Sequence, residues 1–319
     1  MKGIICAILL VATTVALSLP ATGQAERSSA QKPLAPGEIR LTFLGNAGWE
    51  ITDGRSVVLV DPYLTNSRAA RTRAAADSMR RNPSDTRPVF GPDDPRWPDT
   101  AAIDAQIRRA DYILITHGHS DHSLDAPYIA RKMGAVIIGH ETAANIARAY
   151  GVPDSSLITV RGGEDYEFGA FSLRVVPNIH SPLFGKRYYN NPLAGSAPRG
   201  LKAPLTWPQF VEGGNLAYLL RMAGHQVLIM GSMNYIEREM NGLRPDIAVV
   251  GAGRSRKENY DYAGRLMRAL GHPAIVLPTH ISPVDAEVKV FAREVNTASP
   301  RTRVIIPRRF EPIVVPAIH

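Results

Sequence analysis

The stretch Thr116-His117-Gly118-His119-Ser120-Asp121-His122 puts four metal-capable side chains within six residues. Before it, Tyr112-Ile113-Leu114-Ile115 has the length and character of a buried strand; after it, Ala126-Pro127 fits the first turn of a helix. The cluster is therefore expected on a strand-to-helix loop at the carboxyl edge of a sheet. On an extended backbone His117, His119 and Asp121 project to one side, because side chains alternate along a strand. His122 joins them only if the backbone turns, so the spacing suits two adjacent ions better than one. Imidazole and carboxylate donors suit zinc first, with iron or manganese as further candidates. A single histidine here would read as a solvated loop residue; four ligand types at this spacing do not.

The elements that must position this loop can be read outward from it. Ile39–Leu44, Trp49–Thr52 and Ser56–Val60 read as a β-meander whose second turn is Asp53-Gly54, and Asp61-Pro62 closes it. Beyond the motif, Ala126–Met133 and Glu141–Tyr150 read as helices, with strands at Val136–Ile138, Leu157–Val160, Tyr166–Phe168 and Phe171–Val176. Leu216–Leu220 and Val227–Met230 flank the turn Ala223-Gly224-His225, which places His225 in solvent and away from any ion. Asp246–Val250, the amphipathic Tyr262–Leu270 and Ala274–Leu277 complete the pattern. Alternating strands and helices argue α/β, and the early meander argues a mixed sheet.

Two segments lack periodicity. Residues 63–100 carry Arg68, Arg71, Arg73, Arg80, Arg81 and Arg87; Ser67–Arg81 reads as a helix with a solvated basic face, and Pro83–Pro98 as irregular. Residues 181–214 hold Phe184, Tyr188, Tyr189, Trp207 and Phe210 among Gly and Pro, a composition that suits a cap or substrate wall.

At 319 residues the chain can bury a full core in one domain. Residues 1–25 read as a secretory signal peptide: Lys2, an apolar Ile4–Leu19, then small residues before Glu26. Residues 26–37 read as a linker, 38–319 as the folded domain, and the mature chain as exported, periplasmic or secreted. No later stretch is apolar enough to span a bilayer. Cys6 is the only cysteine and would leave with the signal, so any metal is held by histidine and carboxylate. The formal charge is +8, of which Lys2 alone precedes Glu26, leaving +7. That balance suits anionic substrates, nucleic acid or acidic surfaces; no nucleic-acid motif accompanies it, and a small anionic substrate is expected. Gly195-Ser196-Ala197 lacks the nucleophile-elbow frame, and there is no P-loop or dinucleotide fingerprint.

His117-x-His119-x-Asp121-His122 after a hydrophobic strand resembles the signature of the metallo-β-lactamase superfamily of hydrolases. The resemblance spans about residues 39–310 and implies an αββα sandwich of two mixed sheets. It also implies that His180, after Val175-Val176-Pro177-Asn178-Ile179, completes a first site with His117 and His119. His280, after Pro278-Thr279, would complete a second with Asp121 and His122. Asp61 would accept a hydrogen bond from a ligand histidine. Where most two-metal members carry a bridging aspartate, this chain has Ser232, in Gly231-Ser232-Met233-Asn234. A water would then bridge the ions, hydrogen-bonded by Ser232 or Asn234. One subclass of true β-lactamases shares that unbridged inventory. Their segment around the third histidine is absent, and the layout looks more like the branch with lactonases and N-acyl-phosphatidylethanolamine phospholipases.

The chemistry so implied is hydrolysis by a metal-bound hydroxide, since such ions lower the pKa of water to about 7. Asp121 would bind the second ion and orient the nucleophile, with general-base action secondary. Tyr188, Tyr189 and Asn190 would donate to the developing oxyanion, with Trp207 lining the substrate site. The expected substrate is a small anionic ester, lactone or phosphodiester. The alternatives are β-lactam hydrolysis and a non-catalytic metal-binding protein on the same fold.

Overall fold

The computed structural model describes residues 32–182, 195–281 and 286–318. The proposed signal peptide thus lies outside the described residues, as do Tyr188, Tyr189, Asn190 and Phe184.

Among the described residues, fourteen strands form two seven-stranded mixed sheets. The chain opens with β1 (Ile39–Gly45), β2 (Gly48–Thr52) and β3 (Val57–Val60). An excursion follows, holding β4 (Arg68–Ala69), α1 (Arg73–Arg80), β5 (Val89–Phe90) and α2 (Thr100–Gln106). It returns through β6 (Tyr112–Leu114), the single helical turn α3 (Ser120–Ser123), α4 (Ala126–Met133), β7 (Val136–Gly139), α5 (Glu141–Ala149) and β8 (Leu157–Thr159). The second half holds β9 (Asp165–Glu167), β10 (Phe171–Asn178), β11 (Asn215–Met222), β12 (His225–Met230) and α6 (Glu237–Met240). It ends with β13 (Ile247–Gly251), α7 (Tyr262–Leu270), β14 (Ile275–Thr279), α8 (Glu287–Ala298), β15 (Arg303–Val304) and β16 (Pro312–Val315).

In the first sheet the order is β16-β1-β2-β3-β6-β7-β8: antiparallel through β3, then parallel. In the second it is β15-β14-β13-β12-β11-β10-β9, parallel to β12 and antiparallel beyond. The largest apolar cluster joins both sheets, with Trp49, Tyr218, Phe43 and Leu228 fully or almost fully buried. A second packs α2, α4 and α5 on the first sheet through Ile103, Ile129 and Ala147. The architecture is thus the expected αββα sandwich. Among the described residues no helix is long and apolar enough to cross a membrane.

Two buried hydrogen bonds tie the sheets together beside the histidine-bearing loops. Trp49 Nε1 donates to Thr279 Oγ1 at 2.9 Å, one residue before His280. Tyr218 Oη donates to the Ile115 carbonyl at 2.7 Å, two residues before His117. A buried indole or phenol needs a partner; here each partner is the strand end that presents a candidate ligand.

The arginine-rich excursion differs from its sequence reading. Its helix is shorter than Ser67–Arg81, because the Thr72 side chain caps it by accepting from Ala75 N at 3.1 Å. Ahead of the cap, β4 pairs in parallel with β5, inside the stretch expected to be irregular. Nor is the basic face simply solvated. Arg68 donates to the carbonyls of Met79, Asp85 and Arg87. Arg80 pairs with Asp77 and Asp94, and Arg87 grips Asp85 with two nitrogens at 2.9 and 2.7 Å. The segment's own aspartates neutralise these cations, which the spacing of the arginines alone could not reveal.

Candidate metal centre

The loop after β6 carries the motif, and its backbone turns where the sequence required a turn. His119 is extended (φ −61°, ψ 150°), and Ser120–Ser123 then winds through one helical turn. That turn brings His122 round to the side of His117, their rings 3.8 Å apart between centroids. Gly118 lies under the backbone of the segment after residue 195: its amide donates to Glu212 O at 2.8 Å, and a Cβ there would stand 2.3 Å from Val211 O. Only glycine fits between the two histidines.

The side chains gather in two groups. The nearest ligand atoms of His117, His119 and His180 lie within 4.8 Å of one another, and the same holds for Asp121, His122 and His280. His117 Nε2 is 3.1 Å from His119 Nδ1. Two nitrogens about 2.0–2.1 Å from one ion, at a tetrahedral angle, would stand about 3.4 Å apart. Around the second group, His122 Nε2 and His280 Nε2 lie 3.5 and 3.7 Å from Asp121 Oδ2. His280 has a positive φ of 53°, a strained conformation for a non-glycine residue that aims its ring into the cluster.

Surrounding groups fix which nitrogen each ring offers. His122 Nδ1 is 2.8 Å from Asp61 Oδ2, and His180 Nδ1 is 2.9 Å from the Ser181 carbonyl. Both oxygens accept, so Nδ1 carries the proton and Nε2 keeps its lone pair. Asp61 also accepts from Thr116 N at 2.8 Å and Thr116 Oγ1 at 2.5 Å, and Thr116 Oγ1 lies 3.1 Å from His117 Nδ1. Gly231 makes room for this hub: a Cβ there would meet Thr116 Oγ1 at 2.1 Å and Asp61 Oδ2 at 2.6 Å.

One atom tests whether these residues fit a cation. His122 Nε2 is buried and has no hydrogen-bond partner. Such an orphan is rare in a native interior. With a lone pair facing Asp121 and His280, it would be satisfied by a cation. The electrostatics agree. Burial, together with the neighbouring rings, holds His117 well below its ordinary value and His180 down to about 3, so both stay neutral donors. Burial opposes a charge on His122, but Asp121 and Asp61 outweigh it and raise its pKa. Burial would raise Asp121, but His122, His280 and His119 together hold it below the usual carboxylate range.

Residues 40–280 match the family described as the β-lactamase superfamily domain. The chain belongs to the metallo-β-lactamase superfamily. Among curated relatives, a UPF0173 metal-dependent hydrolase of Thermoplasma volcanium is 25% identical over 277 residues, covering 86% of this chain and 99% of its own. Of solved structures, an isothiocyanate hydrolase from Delia radicum gut bacteria superposes with a TM-score of 0.57 at 14% identity, covering 88% of this chain and all of its own. Igni18, a metallo hydrolase of Ignicoccus hospitalis, gives 0.56 at 18% identity, covering 87% and 98%. At these identities the two structures speak for the fold of this superfamily member.

Other sequence-derived site residues fall as follows. Ser232 is buried and accepts from Ser181 N at 2.9 Å, while Asn234 Nδ2 donates to the His180 carbonyl at 3.2 Å. Both therefore brace the His180 loop. Trp207 is half-buried on a 3-10 turn, Trp207–Gln209, and among the described residues makes no ring contact with the centre. His225 corrects the sequence reading: it is 1% exposed, with Nδ1 2.6 Å from Asp246 Oδ2 and Nε2 3.1 Å from the Gly37 carbonyl. The hairpin leaves its turn in solvent, but the chain ahead of β1 covers the ring.

Two residues were missed. Asn46 Nδ2 donates to Asp121 Oδ2 at 3.1 Å and to the Asp121 carbonyl at 3.2 Å. A turn Asn is ordinarily read as a φ-tolerant loop residue, and its φ of 50° is of that kind. Arg96, from the excursion, is fully buried with Nη1 3.3 Å from Ser120 Oγ, its guanidinium over the Phe90 ring at 5.0 Å. Burial lowers its pKa, which nearby Tyr63 and Asp121 partly restore.

Proposed function

We propose that this chain is a metal-dependent hydrolase holding up to two divalent ions, zinc first, and cleaving a small anionic ester, lactone or phosphodiester. The observation that carries this reading is the orphaned His122 Nε2 facing Asp121 and His280, beside the His117-His119-His180 triplet. In this account His117, His119 and His180 hold the first ion, and Asp121, His122 and His280 the second. Ions at such donors acidify a coordinated water and polarise the bond under attack. The chain's own part is placement. Asn46 fixes the carboxylate of Asp121, which orients the attacking water, and Asp61 fixes the ring of His122. Without a bridging carboxylate at Ser232, the second ion binds more weakly than the first.

Relatives named as metal-dependent hydrolases support the reaction class. The test is kcat/KM of zinc- and manganese-loaded protein on an acyl lactone, bis-nitrophenyl phosphate and a chromogenic cephalosporin. Turnover of the lactone or diester is expected. Cephalosporin turnover at about 10⁴ M⁻¹s⁻¹ or more, with the others at background, would reverse the substrate ordering. No turnover of any, with metal bound, would support a non-catalytic binder. We also infer export, from the Lys2–Ala25 pattern. Mass spectrometry should find a mature chain starting near Glu26, and an intact cytosolic chain would refute it.

A further inference from the structure

A cavity of about 530 Å³ opens beside the second group of ligands, lined by His280, Asn46 and Arg309 and, from the excursion, by Asp85, Thr86 and Arg87. Its volume suits a small organic ligand. A second cavity, of about 580 Å³ between α7 and α8, borders none of the six candidate ligands. The two cations of the first cavity are not equivalent. Arg87 is already gripped by Asp85 through two nitrogens. Among the described residues Arg309 is held by backbone oxygens and a ring: Nε donates to Leu44 O at 2.8 Å, Nη2 reaches Leu64 O at 3.5 Å, and Phe310 lies 4.5 Å from the guanidinium carbon. Among the described residues no carboxylate comes within 4 Å of it. Burial lowers its pKa, partly offset by Asp125, and a half-buried guanidinium without a counter-ion is electrostatically incomplete.

The placement is built in by the backbone. A Cβ at Gly45 would stand 3.0 Å from Arg309 Nε, and Gly45 has a φ of +111°. Glycine there allows the guanidinium to lie against the residue next to Asn46, whose amide holds Asp121. Arg309 is thus docked on the same turn whose Asn46 holds the carboxylate of Asp121.

We propose that Arg309 is the substrate-recognition cation of this centre, binding a carboxylate or phosphate carried at the end of the substrate remote from the scissile bond. The proposal rests on the hydrolase reading and narrows it. Among the described residues after 195, Arg199 is exposed and already paired with Asp154 at 2.7 Å. The wall facing Arg309 comes from the arginine-rich excursion, so that excursion sets the length of substrate admitted.

The test is calorimetric binding of glutarate and butyrate to the zinc-loaded full chain. One carboxylate of either can reach the ions, but only glutarate has a second for Arg309. Wild type is expected to prefer glutarate at least tenfold. Arg309→Gln should bring the ratio near one, and Arg309→Lys should keep part of it. Thr86→Glu, exposed and clear of Arg309's backbone contacts, should also lower it at least threefold and guards against misfolding of Arg309→Gln. A preference absent in wild type, or unchanged in a folded Arg309→Gln and in Thr86→Glu, would overturn the proposal. Because binding is read without turnover, a protein that fails every hydrolysis assay but keeps an Arg309-dependent preference would separate this proposal from the hydrolase reading. A phosphate source is distinguished by repeating the comparison with 3-phosphonopropionate against propionate.

Discussion

Asp61 Oδ2 lies 2.8 Å from His122 Nδ1, and both side chains are completely buried. The same oxygen accepts from Thr116 Oγ1, and its partner oxygen from Thr116 N. One carboxylate at the end of β3 thereby fixes both the ring of His122 and the backbone that starts the motif. Asp61→Asn would turn an amide donor toward these donors. It is expected to weaken the second ion about 10–100-fold while leaving the first nearly unchanged. Titration with a competing chelator measures both constants; equal weakening of the two ions would count against this division of labour.

Asn46 is expected to act on turnover through Asp121. Asn46→Ala removes the donor 3.1 Å from Asp121 Oδ2 and leaves a carboxylate free to rotate. On an accepted substrate, kcat should fall about tenfold with metal content unchanged. Loss of the second ion in this variant would show instead that Asn46 is needed for binding.

Stability should depend on the cross-sheet bond beside His280. Thr279→Val is close in shape but leaves the Trp49 indole N–H, fully buried, without an acceptor. The expected cost is about 1–3 kcal/mol in denaturant unfolding. A cost near zero would mean that the two sheets are held at this edge by apolar packing alone.

A pH dependence follows from Asp125, which is fully buried between α3 and α4 and accepts from Leu64 N, Thr65 N and Thr65 Oγ1. Burial outweighs those hydrogen bonds and raises its pKa to about 6. A folded value above the unfolded one means that its contribution is full below about pH 4 and is lost as pH rises through about 6. Relative to Asp125→Asn, wild type should therefore lose about 2 kcal/mol between pH 4 and pH 7.5. Urea melts of both proteins at the two pH values give the difference; a constant gap would mean that the three donors keep the carboxylate at its ordinary value.

What the sequence disclosed follows from how local each feature is. His117, His119, Asp121 and His122 sit on one loop, so their spacing alone carried the chemistry. Most strands were legible as short apolar or alternating runs, whereas their division into two sheets came from the family resemblance, because pairing between strands is not a local feature. Asn46 was not, because its partner lies 75 residues away and the contact exists only after the β1–β2 turn folds over the motif loop. His225 was misplaced for a similar reason: the atoms that bury it belong to Asp246 and Gly37. The ion pairs inside the excursion join arginines and aspartates that no helical or strand period relates. Arg309 gains meaning only from its backbone partners, Leu44 and Leu64, on the far side of the chain.

The central claim is that two ions, each on its own triplet, make this chain a hydrolase. Metal content by mass spectrometry, read beside turnover while ions are added back to chelated protein, tests it most directly. The account predicts activity that rises to a limit at two equivalents, one equivalent retained in His280→Ala, and less in His119→Ala, with activity falling in both. Turnover that needs no metal, or stoichiometry unchanged in both variants, would contradict it.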